Sequence, residues 1–160
     1  MVGIAICDDN QAELADAYAL VCGYRDRRSE WDLDIHCFHS ADDLSECLEA
    51  RGGFDIYLLD IIMPGQDGIA LGKAIRERDG AAGILYLTTS ADYAVQSYRV
   101  RAQDYLLKPI QESELARALD NALDQRAADA SARMPLRTAS GTAVVLFNRL
   151  VYAEYQAHQL

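Results

Sequence analysis

The feature that most constrains this chain is the alternation of short apolar runs with segments whose apolar residues recur at helical spacing. The runs are strand-like: most are continuously apolar, as in strands buried on both faces, and one alternates. They span residues 3–7, 33–38, 54–59, 84–87 and 105–107. Strands that alternate with helices form parallel sheets through right-handed crossovers, with helices on both faces. The pattern predicts an α/β fold, a doubly wound, five-stranded parallel sheet of the (βα)5 type.

Polar residues at the junctions indicate where two of the helices begin. Ser40 can cap a helix with acidic residues in its first turn, and Ser113 can cap the long last helix. Residues 91–100 also have a short helical pattern. We therefore expect a helix after every strand.

Charge and composition change near residue 131. The first 130 residues hold 12 basic and 24 acidic side chains, whereas the last 30 hold three arginines and one glutamate. Strand-like runs at residues 136–138, 143–147 and 150–155 predict a short C-terminal β segment resembling a hairpin. A hairpin alone buries little core. We therefore divide the 160 residues into two domains, 1–130 and 131–160.

The composition disfavours several classes of protein. A formal net charge of −10 argues against the whole chain binding nucleic acid or anionic membrane. The longest apolar stretches have about six residues, far fewer than the roughly 20 of a membrane span. The N-terminus lacks the basic segment of a signal peptide. We expect a cytoplasmic protein without a membrane partner.

The four cysteines have no CxxC spacing, and a domain of this size needs no disulfides. They are Cys7, Cys22, Cys37 and Cys47. We expect all four to be buried as small hydrophobic side chains. His36 and His39 flank Cys37, but no cluster of thiols or carboxylates completes a metal site there.

Polar residues with chemical potential follow the strands at their carboxyl ends. They are Asp8 and Asp9 after the first strand, Asp60 after the third, Thr88 after the fourth and Lys108 after the fifth. Ligands of open α/β sheets bind beyond the carboxyl ends of the strands, near the topological switch point. An isolated aspartate there is commonly a helix cap. Three carboxylates, an ammonium and a hydroxyl on one edge instead predict a shared site.

The residue types suggest the chemistry of that site. Three clustered carboxylates repel one another unless a cation is present, and their oxygen ligands suit Mg²⁺. Lys108 supplies a point charge suited to a phosphoryl group. Such a set can transfer a phosphoryl group to one carboxylate while the metal and the lysine neutralise the developing charge.

The sequence resembles the receiver domain of bacterial two-component response regulators over about residues 2–128. The matching blocks are IAICDDN at 4–10, LLDIIMPGQDG at 58–68, LTTS at 87–90 and DYLLKP at 104–109. The resemblance implies a flavodoxin-like fold. It also implies that Asp60 accepts a phosphoryl group from the phosphohistidine of a sensor histidine kinase.

The resemblance further implies the metal ligands. Asp8 and Asp9 would hold Mg²⁺, with help from Asp60 and the backbone carbonyl of Ile62. A receiver is a phosphoacceptor switch rather than an enzyme, with only self-catalysed phosphotransfer and slow autodephosphorylation.

The remaining matched positions imply a switch. Thr88 would contact a phosphoryl oxygen, Lys108 would pair with the phosphate, and Tyr105 matches the aromatic switch residue of the family. Tyr105 also suits a plain core position, since it precedes two leucines. The bond between Lys108 and Pro109 is commonly cis in the family. A homodimer formed on phosphorylation is compatible with this interpretation.

The C-terminal segment resembles, more weakly, the opening strands of a LytTR-type DNA-binding domain. The resemblance rests on RTASGTAVVL at 137–146 and LVYAEY at 150–155. We expect the chain to end inside this effector domain, so that promoter DNA is bound only by the full-length protein. The alternative is a hairpin extension without DNA-binding function.

Two other functions remain open at this point. A phosphatase of the haloacid dehalogenase type needs a second Asp two residues after the nucleophile, where this chain has Ile62. A receiver-like interaction module that signals without phosphate usually loses part of the acidic pocket, and here the pocket is complete. Both are therefore less favoured than a phosphorylated switch that regulates transcription.

Overall fold

A computed structural model describes residues 1–65, 67–90, 100–131, 133–138 and 141–146. The strands in this part of the chain are β1 (Val2–Cys7), β2 (Leu33–Phe38), β3 (Ile56–Asp60), β4 (Gly83–Thr88), β5 (Asp104–Leu107), β6 (Arg133–Thr138) and β7 (Gly141–Leu146). The helices are α1 (Gln11–Arg27), α2 (Ala41–Arg51), α3 (Gly68–Arg78) and α4 (Glu112–Ser131). The helix predicted at residues 91–100 falls mostly on residues 91–99, which lie outside the described residues.

The first five strands form one parallel sheet, as predicted, and their order is β2-β1-β3-β4-β5. The order reverses between β1 and β3, where Cys7 pairs with Leu59. Thr88, at the end of β4, pairs with Leu107 at the end of β5. The register therefore brings the carboxyl ends of four neighbouring strands to the same edge, beside the switch point.

The central strands of the sheet are buried on both faces, which explains why they are continuously apolar. In β1, Ile4 and Ile6 pack on one face in a cluster with residues of α1 and α4. Ala5 and Cys7 pack on the other face with residues of α2 and α3. Because side chains alternate between the two faces of a strand, this packing also determines the face on which the residue at the end of each strand lies.

Helix capping follows the sequence at one of the two predicted positions and departs from it at the other. Ser40 caps α2 as predicted, since its hydroxyl accepts a hydrogen bond from the Asp43 N–H at 3.0 Å. Ser113 is not a cap, and that prediction was wrong. It lies inside the first turn of α4, which begins at Glu112. A glutamate at the start of a helix is favoured by the helix dipole, so the chain becomes helical earlier than the serine suggested.

The boundary near residue 131 coincides with the end of α4 rather than with a loop. The small residues that precede it continue the helix because they are mostly alanine, the best helix former. Beyond it, β6 and β7 pair antiparallel, with Arg133 opposite Leu146 and Thr138 opposite Gly141, which agrees with the expected hairpin. The third run, at residues 150–155, lies outside the described residues. The division into two domains stays a prediction.

The cysteines differ from the prediction that all four are buried. Cys7 is buried and Cys37 is exposed, while Cys22 and Cys47 are intermediate; all four are free thiols. Cys37 is exposed because β2 is an edge strand with one side open to solvent.

No helix in the described part of the chain has the length and apolarity needed to cross a bilayer.

Two helical glycines make a matched test of the packing. A Cβ at Gly72 in α3 would lie 2.0 Å from the hydroxyl of Tyr86, which is buried without a hydrogen-bond partner among the described residues. A Cβ at Gly23 in α1 would meet only the far end of Arg27, at 3.5 Å. Gly72→Ala should therefore lower the free energy of unfolding by about 1–3 kcal/mol, as overpacking does. Gly23→Ala should raise it by up to about 1 kcal/mol.

Urea denaturation of both variants checks this prediction. Combining Gly72→Ala with Tyr86→Phe removes the hydroxyl that the new methyl group meets, so the double variant should recover part of the loss. Equal stabilities for the two alanine variants would contradict the packing described between α3 and β4.

Candidate functional site

Three carboxylates meet where β1 and β3 end. Asp8 and Asp9 directly follow β1, and Asp60 is the last residue of β3. One carboxylate oxygen from each lies within 4.8 Å of the others. Asp8 and Asp60 are buried, whereas Asp9 is exposed, so the cluster opens to solvent on one side. Among the described residues, Asp8, Asp9 and Asp60 form the group of potential metal ligands that lie this close together. His36, Cys37 and His39 do not form such a group.

Lys108 supplies the positive charge of the cluster. Its Nζ lies 2.7 Å from Asp8 Oδ2 and 2.8 Å from Asp60 Oδ1, and it also donates a hydrogen bond to Glu13. The backbone N–H of Lys108 donates to the Thr88 carbonyl at 2.8 Å, which continues the pairing of β4 with β5. The peptide bond between Lys108 and Pro109 is cis, as expected. The predicted lysine therefore joins the ends of three strands.

Glu13 is a member of the cluster that the sequence analysis missed. It lies in the first turn of α1, where an acidic residue is ordinarily explained by the helix dipole. The signal that could have revealed it is its place in the first turn of a helix that begins soon after Asp8 and Asp9, at the edge of the sheet where the cluster lies. The side chain reaches Lys108 from there.

Burial shapes the electrostatics of the cluster. It raises the pKa of Asp60, and although Lys108 opposes this change, the charges of Asp8 and Glu13 add to it. Burial by itself would lower the pKa of Lys108, but hydrogen bonds to Asp60, Asp8 and Glu13 outweigh it and the pKa is raised. Lys108 therefore stays an ammonium ion, whereas ionised Asp60 is less favourable in the folded protein than in water.

Cys7 lies beside the cluster but has the properties of a core residue. Burial, followed by the charge of Asp8, raises the pKa of its thiol to about 12. The protonated Sγ lies 3.7 Å from the sulfur of Met63. A thiol in this state is a poor nucleophile.

The loop after β3 packs directly against the backbone of Asp60. Gly68 donates its N–H to the Ile61 carbonyl at 3.0 Å. A Cβ at this glycine would lie 1.9 Å from the Asp60 carbonyl oxygen, so only glycine fits. Asp67 caps α3 by accepting from the Ala70 N–H at 2.6 Å. The Asp-Gly pair of the sequence thus closes the loop against the end of β3.

The two predicted switch residues converge on Ser90. The Thr88 side chain is buried, and its Oγ1 accepts from the Ser90 N–H at 3.2 Å. The Tyr105 hydroxyl donates to the Ser90 carbonyl. One residue therefore connects the ends of β4 and β5 through both of them. Ile62 is half exposed, and the role of its carbonyl stays a prediction.

The profile of the response regulator receiver domain matches residues 4–120, which includes the whole cluster. The chain belongs to this family. The resemblance found in the sequence is confirmed for the receiver, whereas the attached DNA-binding domain is not shown.

Curated relatives are similar over different parts of the chain. The positive alginate biosynthesis regulatory protein of Pseudomonas aeruginosa is 38% identical over 68 residues, which is 42% of this chain and 27% of that protein. The transcriptional regulatory protein LytR of Staphylococcus aureus is 31% identical over 93 residues, 57% of this chain and 38% of LytR. NatR of Bacillus subtilis is 24% identical over 157 residues, 96% of this chain and 64% of NatR. The receiver chain spans less than two thirds of each relative.

Solved structures confirm the flavodoxin-like fold. A receiver domain from Clostridium thermocellum aligns with a TM-score of 0.68 at 21% identity, covering 80% of this chain and 98% of that one. The response regulatory domain of mrkE from Klebsiella pneumoniae aligns with a TM-score of 0.67 at 24% identity, covering 76% and 95%. At these identities the likeness shows the fold of the receiver alone.

The raised pKa of Asp60 predicts a pH-dependent effect of Asp60→Asn on stability. A carboxyl group whose pKa is raised by folding loses stabilisation as the pH increases from its ordinary pKa through the raised one. The neutral asparagine has no such loss. The melting temperature of Asp60→Asn relative to that of the unchanged protein should therefore rise as the pH increases from about 4 towards neutral pH.

Thermal melts across this pH range, without divalent ions, measure the effect. Asp16→Asn is the control, because it removes one charge from an exposed position on α1. A difference between Asp60→Asn and the unchanged protein that is constant with pH would contradict the prediction.

Proposed function

We propose that this receiver is a phosphoacceptor switch of a two-component system, in which Asp60 accepts a phosphoryl group from a sensor histidine kinase. The observation that carries the proposal is the hydrogen bond of 2.8 Å between Asp60 and Lys108. It lies in a cluster in which one carboxylate oxygen each of Asp8, Asp9 and Asp60 is within 4.8 Å of the others. This arrangement places a nucleophilic carboxylate beside a fixed ammonium ion. Both are groups that phosphoryl transfer requires.

In the proposed reaction, an Asp60 carboxylate oxygen attacks the phosphorus of phosphohistidine. The P–O bond to Asp60 forms as the P–N bond breaks, and the imidazole leaves. Lys108 is already oriented at Asp60, so its positive charge lies beside the position that the phosphoryl oxygens would take. The side chains of Lys108 and Asp60 are only 9% and 6% exposed, which strengthens this interaction because little water competes with it.

The donor set of the cluster fits Mg²⁺. Three carboxylates offer only oxygen ligands, and Asp9 remains open to solvent, as suits an ion that keeps several waters. We propose that Asp8, Asp9 and Asp60 hold the ion with the carbonyl of Ile62. When bound, Mg²⁺ supplies positive charge that offsets the repulsion between the carboxylates and the incoming phosphoryl group.

A phosphatase that turns over rapidly is not supported. That reaction needs a general acid two residues after the nucleophile, and the side chain there is the half-exposed, apolar Ile62. The proposed role is therefore a switch that holds its phosphoryl group, rather than an enzyme.

The switch would act through the contacts of Thr88 and Tyr105 with Ser90. A phosphoryl group on Asp60 offers the Thr88 hydroxyl a stronger partner, and this draws Thr88 away from its present contact. Tyr105 is bound to the same residue, so its packing would change as well. Phosphorylation thereby shifts the population between two arrangements at the ends of β4 and β5.

We further propose that the switch regulates transcription through a LytTR-type domain of which β6 and β7 are the first strands. Two of the relatives are named transcriptional regulatory proteins, and the similarity to NatR extends over 96% of this chain and so into the hairpin. Promoter DNA would be bound by the full-length effector domain. The receiver, with its strongly acidic composition, would not bind DNA itself.

Labelling with a small phosphodonor tests the acceptor. In acetyl phosphate and Mg²⁺, the mass of the intact protein should increase by one phosphoryl group, and Asp60→Asn should show no increase. Asp42→Asn, an exposed acidic residue of α2, is the control and should be labelled normally. Labelling of Asp60→Asn at the rate of the unchanged protein would contradict the assignment.

Thermal melts test the metal site. Binding of Mg²⁺ to the folded state alone raises its stability, so the melting temperature should increase in millimolar Mg²⁺. Asp9→Ala should abolish this increase, because Asp9 is a proposed metal ligand. Asp9 is not among the hydrogen-bond partners of Lys108, so the substitution leaves those bonds intact. Asp16→Asn should keep it. Equal increases in Asp9→Ala and the unchanged protein would place the metal elsewhere.

A further inference from the structure

The first turn of α1 has an unusual division of hydrogen bonds. Asn10 is the N-cap, and Glu13 has the position whose side chain accepts the N-cap N–H in a capping box. Here the Asn10 N–H donates instead to Asp8 Oδ1 at 2.9 Å. Glu13 Oε1 accepts a hydrogen bond from the side-chain amide of Asn10 at 3.2 Å, and Glu13 Oε2 accepts one from Lys108. The Glu13 carboxylate is therefore directed at the site rather than at the helix backbone.

Glu13 occupies the last donor of Lys108. A lysine ammonium has three N–H groups, and the three carboxylates of Asp8, Asp60 and Glu13 each lie within hydrogen-bond distance of Nζ. A phosphoryl group on Asp60 can therefore bind Lys108 only if one carboxylate withdraws.

The three carboxylates differ in their freedom to withdraw. Asp8 is 1% exposed and is fixed by the Asn10 N–H, and Asp60 itself would hold the phosphoryl group. Glu13 is 36% exposed and has the longest side chain of the three, so it can rotate into solvent. Its negative charge would also repel a phosphoryl group bound next to Lys108.

We infer that Glu13 is a positioning residue that holds Lys108 in the unphosphorylated receiver and competes with the phosphoryl group for it. Glu13 thereby favours the unphosphorylated state and weakens the hold of the site on a phosphoryl group. The inference rests on the proposed function, because it assumes that Asp60 is the acceptor.

Beryllofluoride, a stable mimic of the phosphoryl group, tests the inference at equilibrium. Its affinity is measured by ¹⁹F NMR at saturating Mg²⁺, so that changes in metal affinity do not contribute. Glu13→Gln keeps the shape and loses the charge, and it should bind beryllofluoride about three- to tenfold more tightly than the unchanged protein. Asp16→Asn loses a charge one turn further along α1 and should bind within about twofold of the unchanged protein.

A second variant and a second condition separate competition from a merely structural role. Glu13→Asp keeps the charge but reaches less far, so its affinity should lie between those of the unchanged protein and Glu13→Gln. The advantage of Glu13→Gln should shrink in about 1 M salt, which screens partly exposed charges. Circular dichroism melts establish that each variant is folded.

The outcomes are distinct. Equal or weaker binding by Glu13→Gln and Glu13→Asp, with normal binding by the unchanged protein, overturns the inference and leaves the proposed function intact. An unchanged protein that neither binds beryllofluoride nor is labelled by acetyl phosphate overturns the proposed function, and the inference with it.

Discussion

The hydrogen bonds of Lys108 are the interaction on which the rest of the site depends. Asp8 and Asp60 are buried at the ends of neighbouring strands, and carboxylates in such a place are tolerated only when paired. The lysine follows the end of β5, and its ammonium ion binds Asp60 and Asp8, which lie 48 and 100 positions before it in the sequence. Removing it would leave uncompensated buried charges, which costs far more than the pair contributes. The hydrogen bonds of Lys108 therefore both stabilise this edge of the sheet and set the charge of the site.

The sheet could be predicted because its strands are buried on both faces, which forces continuous apolar runs that no loop or amphipathic helix would show. Details that depend on competition between weak local preferences could not be predicted from the sequence. Ser113 is a good cap, but Glu112 also suits a helix start, and the difference between them is a fraction of a kcal/mol. Cys37 was predicted to be buried because its residue type usually is, whereas its edge-strand position decides otherwise.

The site was predictable to the extent that strand ends determine it. Asp8, Asp60 and Lys108 follow parallel strands, and parallel order alone brings their side chains to one edge. Glu13 enters from a helix, and its direction depends on which acceptor takes the Asn10 N–H. That choice is made by three-dimensional geometry, so a sequence pattern that fits an ordinary capping box conceals a residue of the site.

Burial and the acidic neighbours of Asp60 raise its pKa, so the folded receiver holds the ionised form of this carboxyl group at a cost. A more stable arrangement would give Asp60 a second cation or fewer acidic neighbours, but either change would remove what the proposed switch needs. A cation already saturated by fixed partners cannot bind a new phosphoryl group, and a site without excess negative charge has little use for Mg²⁺. The partly exposed Glu13 resolves this conflict, since it pairs the third donor of Lys108 without fixing it permanently. In the proposed switch, the repulsion between the clustered carboxylates would thus supply the free-energy difference by which one covalent change shifts the arrangement at the ends of β4 and β5.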